Sequence, residues 1–162
     1  MTIQLYRIDD RLIHGQVVVG WGQPLNIRLL VLVDDMVAAS DWEKDLYRMA
    51  VPPEMEVIFN DVATAIREHA RYAGDPRPGL ILTGDITSMY RLVKGVKAIG
   101  SVNLGGIHHR AGRAEKLRYI FVTPDEERQL RELEAAGVEV TAQDVPSSRA
   151  VPLAEVLEGA TR

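Results

Sequence analysis

From Asn26 to Val33 the chain is a nearly unbroken apolar run, with Ile27, Leu29, Leu30, Val31, Leu32 and Val33. A strand with one face in water alternates apolar and polar residues. This run does not, so it has to be buried on both faces, at the centre of a sheet covered by helices on either side. Shorter strand-like runs stand at 2–8, 56–59, 80–83, 98–104, 119–122 and 138–145. Helix-like stretches at 15–23, 41–50, 62–73, 87–94 and 124–136 separate most of them. Such alternation builds βαβ units, and the expected fold is a three-layer α/β/α sandwich around a mainly parallel sheet.

Local signals sharpen the boundaries. Ser40-Asp41-Trp42-Glu43 has capping-box spacing, and Pro52-Pro53 ends the helix that follows. Asn60 or Asp61 can cap the next helix. Thr123-Pro124-Asp125-Glu126 places Thr at the N-cap, Pro at N1 and Glu at N3, and Gly137 marks that helix's far end. Leu130 and Leu133 form its inward stripe. His69, among Arg67, Glu68 and Arg71, reads as a solvated surface residue, and Trp21 as a packing residue. Residues 147–162 read as a C-terminal tail with a short helix over Leu153–Leu157. A length of 162 residues fits one domain over 1–162.

Composition removes several classes of function. There is no cysteine, which excludes disulfides, thiolate catalysis and cysteine zinc sites. The net charge is −4 and no long Lys/Arg run occurs, so nucleic acid is not an expected partner. No apolar stretch reaches the roughly 18 residues a membrane span needs. With a strand pattern from the first residues and no signal peptide, a cytoplasmic location is expected, and any transport role would run through a separate membrane partner.

The chemistry gathers in Tyr6-Arg7-Ile8-Asp9-Asp10-Arg11-Leu12-Ile13-His14-Gly15-Gln16-Val17. This loop follows a strand and precedes a helix, where open α/β sheets bind ligands. Free N–H groups and the positive helix end there favour an anion. A neutral imidazole nitrogen on His14 is a nucleophile suited to a phosphoryl group. Arg11 offers a planar, permanently charged fork for its oxygens, and backbone N–H groups of Gly15 and Gln16 add to the cradle. Asp9 or Asp10 can accept the other imidazole N–H and fix the tautomer. A capping histidine and a loop of solvated charges remain open alternatives. Thr83 reads first as a turn residue and second as a phosphate contact. Gly105 and Gly106 permit close backbone approach after a strand. His108 and His109, with no third ligand nearby, make a poor metal pair. The basic stretch Arg110–Arg118 reads as a docking surface for an acidic partner or as a solvated loop.

The segment Arg-Ile-Asp-Asp-Arg-Leu-Ile-His-Gly-Gln-Val resembles the phosphorylation-site segment of enzyme IIB components of the bacterial phosphoenolpyruvate:sugar phosphotransferase system, mannose/fructose/sorbose class. Further likeness runs through Val31–Asp35, Met49–Pro53, Val102–Gly106, Gly137–Val140 and Val145-Pro146, over about residues 2–148. The resemblance implies six or seven strands, with Gly105 and Gly106 near the site. It implies that His14, with Arg11 beside it, takes a phosphoryl group from a IIA histidine. The group then passes to a sugar entering through a IIC/IID permease, the activity of a protein-N(pi)-phosphohistidine–sugar phosphotransferase. The group is cargo, and neither cofactor nor metal is implied. Trp21-Gly22 and His108-His109 depart from the family pattern. Which sugar is imported, and whether the chain forms a homo-oligomer, stay open. Two other readings stand beside this one: a regulatory phosphohistidine module without transport, and a metal-dependent hydrolase using Asp9, Asp10, Asp34, Asp35 and His14.

Overall fold

The computed structural model describes residues 2–159. A seven-stranded sheet runs through the molecule. Its strands are β1 (Ile3–Ile8), β2 (Leu29–Val33), β3 (Glu56–Asn60), β4 (Gly79–Thr83), β5 (Ser101–Leu104), β8 (Glu139–Ala142) and β9 (Val151–Pro152). Their order across the sheet is β3-β2-β4-β1-β5-β8-β9. The pairings are parallel except for β9, which lies antiparallel on β8.

The apolar run of β2 shows why it does not alternate. Leu29, Val31 and Val33 enter one core and Leu30 and Leu32 the other, and none of the five is more than 1% exposed. Burying one such side chain contributes about 2 kcal/mol. The first core takes α3 (Val62–Ala73), α4 (Ile86–Gly95), α5 (Pro124–Ala135) and α6 (Leu153–Glu158) through residues such as Tyr72, Met89, Leu130 and Val156. The second core is filled by Leu12, Ile13, Val17, Val18, Trp21 and Val37. Val37 comes from a short helix α1 (Asp35–Ala38), which the sequence reading missed. The next helix, α2 (Asp41–Ala50), starts where expected, with the Ser40 hydroxyl accepting from Glu43 N. It has no fully buried residue, touches the second core through Tyr47, and leaves Trp42, Leu46 and Met49 exposed.

Several boundaries differ from the expectation. The stretch expected as a helix over 15–23 is a π-helix, Gln16–Trp21, with an i→i+5 bond from Gly22 N to Val17 O. Three consecutive valines and two glycines weaken α-helical geometry there. Residues 119–122 were expected as a strand, but Ile120–Val122 (β7) stays out of the main sheet. It pairs antiparallel with β6 (Ala114–Leu117), so part of the supposed basic loop is a β-ribbon. The C-terminal stretch is more than a tail. After β9 closes the sheet edge, Leu153, Val156 and Leu157 of α6 are buried.

His69 is 4% exposed, which corrects the surface reading. Its Nε2 lies 2.7 Å from Tyr6 Oη, and the two rings stack. The charged neighbours in sequence point outward from α3 while His69 sits on the inward stripe with Ala65 and Tyr72.

Candidate functional site

The end of β1 lies between the ends of β4 and β5, with Ile8 in register with both Thr83 and Leu104. The following loop is clamped there. Asp9 N donates to Thr83 O and Asp10 N to Gly106 O, each at 2.9 Å. From β1 the chain leaves toward the π-helix and the second core, whereas beyond β5 it leads to α5 and the first core. Connections that part to opposite faces open a crevice at the carboxyl ends of the strands.

Leu12 adopts a left-handed backbone, φ +60°, while its side chain is buried in the second core. For a bulky residue that conformation is strained. The turn brings the Leu12 carbonyl to 2.9 Å from His14 Nδ1. A carbonyl can only accept, so Nδ1 carries the proton and Nε2 the lone pair. Nε2 is buried and has no hydrogen-bond partner among the described residues. Neither aspartate orients this ring, contrary to expectation. The side chain of Asp9 falls on the same face of the extended chain as Arg7, two residues earlier. Its carboxylate meets Arg7 Nη2 and Arg11 Nε, each at 3.4 Å, and Arg11 N at 3.2 Å. Asp10 accepts from His108 N and pairs with His108 Nδ1, both at 2.7 Å.

Arg11 is 41% exposed along its side chain. Its Nη2 donates to Gln16 Oε1 at 2.6 Å, and its Nη1 has no partner among the described residues. The backbone N–H groups of Gly15 and Gln16 likewise make no hydrogen bond among the described residues. Gly105 and Gly106 lie beside Arg7 and Arg11 respectively. A Cβ on Gly106 would stand 3.7 Å from Arg11 Nη2 and 3.4 Å from His108 Cε1. Thr83 is the last residue of β4, not a turn residue, and is fully buried with its hydroxyl donating to Asp85 O.

Two residues that were not among the expected site residues hold the loop in place. Arg7 is fully buried. It donates to Asn103 Oδ1, to Gln143 O at 2.9 Å and to Asp144 O at 3.1 Å, and its guanidinium lies 4.6 Å from the Trp21 ring. Burial pulls its pKa down, and Asp9 and Asp144 oppose that shift. Asp144, between β8 and β9, accepts from Gln16 Nε2 at its backbone and side-chain oxygens and from Trp21 Nε1 at its backbone. The charged, odd-numbered place of Arg7 within β1 was a usable signal, because a cation inside a buried strand needs partners. Asp144 had none.

The remaining charged candidates are engaged elsewhere. Asp34 caps α1, and Asp35 accepts from Val62 N and pairs with Arg91. With Asp9 and Asp10 also committed, no group of three His, Asp or Glu residues able to hold a metal occurs among the described residues, which removes the ligand set of the hydrolase reading. His108 and His109 diverge, His109 meeting Phe121 edge-on at 5.7 Å. In the basic stretch, Arg113 is paired with Glu126 and Lys116 with Glu127. Only Arg110 and Arg118 there lack an ion pair among the described residues, which narrows the docking surface.

Fold and site together define a mostly parallel α/β protein with a histidine and an arginine in an anion-ready loop at the sheet's switch point. The chain belongs to the sorbose subfamily of IIB components of the phosphotransferase system (PTS), whose family model matches residues 3–162. It is 35% identical over 159 residues to the mannose-specific EIIAB component of Escherichia coli K12, covering 97% of this chain and 49% of that protein. The chain thus spans about half the length of that curated relative. It is 32% identical to the sorbose-specific EIIB component of Klebsiella pneumoniae, covering 93% of this chain and 92% of that one. Among solved structures, manxB of Thermoanaerobacter tengcongensis superposes with a TM-score of 0.86 at 31% identity, over 96% of this chain and 95% of that one. The IIBSor domain of the K. pneumoniae sorbose permease gives 0.88 at 28% identity, over 98% of each chain. The described residues contain no helix long and apolar enough to cross a membrane.

Proposed function

We propose that this chain is a single-domain phosphocarrier whose His14 accepts a phosphoryl group from a phosphorylated histidine of a IIA protein or domain. It then passes the group to a sugar entering through a IIC/IID permease, in the cytoplasm. The observation that carries the reading is the grouping of His14, Arg11 and the unpaired N–H groups of Gly15 and Gln16 at one end of β1. In the transfer, the bond from phosphorus to the donor nitrogen breaks and the bond to His14 forms. The donor imidazole keeps the electron pair, and the charge on the three equatorial oxygens is met by Arg11 and the amides.

Transfer to Nδ1, the N(pi) position, adds a requirement. Nδ1 is now a donor to Leu12 O, so the ring has to turn from that carbonyl and its proton has to move to Nε2 by way of water, which leaves the lone pair on Nδ1 before attack. The resting loop therefore holds the carrier in a closed form that donor docking opens.

The test supplies labelled phosphoenolpyruvate, the general phosphotransferase proteins and a IIA domain. Label should appear on the protein, be lost in acid and persist in base, as a phosphoramidate does. His14→Ala should abolish it and His109→Ala should leave it. Arg11→Ala should slow transfer roughly a hundredfold without unfolding the protein. Label that persists in His14→Ala refutes the assignment, and a sharp fall in Tm with transfer intact makes Arg11 structural.

A further inference from the structure

We propose that Asp144 is a positioning residue for phosphoryl transfer: acting through the Gln16 side chain, it sets where Arg11 holds its charge. The inference rests on the phosphocarrier reading above.

Arg11 is a long, partly exposed side chain held by two side-chain contacts among the described residues. The contact of its Nε to Asp9 is 3.4 Å, long for a charge-assisted bond. The contact of its Nη2 to Gln16 Oε1 is 2.6 Å. Gln16 therefore governs the position of the guanidinium more than Asp9 does. An amide can present either end, and presenting its NH2 group to Arg11 would oppose donor to donor. Asp144 removes the choice. Gln16 Nε2 donates to Asp144 Oδ1 at 2.9 Å and to Asp144 O at 3.0 Å. With the NH2 end satisfied by two acceptors, the carbonyl end has to face Arg11.

Asp144 is itself well anchored. Its backbone oxygen also accepts from Arg7 Nη2 and Trp21 Nε1, each at 3.1 Å. The contacts close a circuit: Arg7 to Asp9, Asp9 to Arg11, Arg11 to Gln16, Gln16 to Asp144, and Asp144 back to Arg7. One link spans 128 positions of sequence, so the connection after β8 reaches back to order the loop after β1. Within this circuit the Asp144 carboxylate hydrogen-bonds to Gln16 alone and acts on Arg7 only through space, so replacing it loosens Arg11 while the backbone anchor to Arg7 stays.

The test measures single-turnover transfer from a labelled phospho-IIA domain to the full chain, over a range of donor concentrations. Asp144→Ala should lower the saturating rate roughly tenfold, as a displaced guanidinium requires, with the apparent donor KM changed less than about twofold. Asp144→Asn keeps an acceptor oxygen for Gln16 and should recover most of the rate. Gln16→Met should reproduce the loss, and combining it with Asp144→Ala should add nothing, because both cut one path. Circular dichroism and Tm establish that each variant folds, and Gln16→Met carries the test if Asp144→Ala does not. A wild-type rate in Asp144→Ala overturns the proposal. So does a loss confined to KM, an Asn variant as slow as Ala, or a multiplicative double variant. Absence of label on the wild-type protein is a different result, which overturns the phosphocarrier reading and this inference with it.

Discussion

Arg7 shows how much of the site depends on a group that never meets solvent. A guanidinium with no exposure is costly unless its donors are met. Here Asn103, Gln143, Asp144 and Asp9 meet those on Nη1 and Nη2, Nε is left without a partner among the described residues, and the Trp21 ring covers one face. Gly105 is part of that fit, since a Cβ there would lie 2.6 Å from Arg7 Cζ. The guanidinium is held at both Nη atoms and under the Trp21 ring, so it cannot yield cheaply. Gly105→Ala should therefore lower Tm and also slow transfer, because displacing Arg7 disturbs both Asp9 and Asp144. An unchanged Tm on thermal unfolding would show that Arg7 has room to move. The reading of Arg11, His14, Gly15 and Gln16 as one group needed no tertiary information, because they are neighbours in sequence. Which oxygen would hold the His14 ring was not legible. The answer depends on the left-handed turn at Leu12, whose side chain is buried in the second core.

Among the elements, α5 is the one whose start was written most completely in local sequence. The Thr123 hydroxyl accepts from Glu126 N at 3.0 Å, and the Glu126 carboxylate accepts from Thr123 N at 2.8 Å. Glu126 has a second duty, its pair with Arg113, which holds the β6–β7 ribbon against the helix. Thr123→Ala should cost about 1 kcal/mol, a fall of about 2–4 °C in Tm for a chain of this size. Transfer should change little, since α5 reaches the loop only indirectly, through Arg113, His108 and Asp10. The π-helix is the opposite case. Its valines and glycines announced a weak helix, but the wider turn appears only with Trp21 drawn under the loop to reach Asp144.

Taken as a molecule, the sandwich joins its layers through a few polar contacts inside the core, and Tyr6–His69 links β1 to α3. Burial holds the His69 pKa below its ordinary value and pushes Tyr6 up to about 12. The unfolded chain therefore binds a proton at position 69 more readily than the native one. Stability is full above the unfolded histidine value of about 6.5 and falls as pH drops below it. At the other end, Tyr6 stays protonated in the native state while the unfolded phenol ionises from about pH 10, so stability falls again between there and 12. Thermal unfolding should show Tm declining from about pH 7 to about pH 5. His69→Gln should flatten that decline; an unaltered slope would place the titration elsewhere. Most strand and helix positions, the covered sheet and the His14 loop could be read from residue order, though α1 and the β6–β7 ribbon could not. Each is set by periodicity, caps and turn residues acting over a few positions. The closed tautomer of His14, the buried fit of Arg7, the edge strand β9 and the place of Asp144 could not. They arise from groups far apart in sequence that share one volume, where burial and hydrogen-bond pairing, not local propensity, choose the partner.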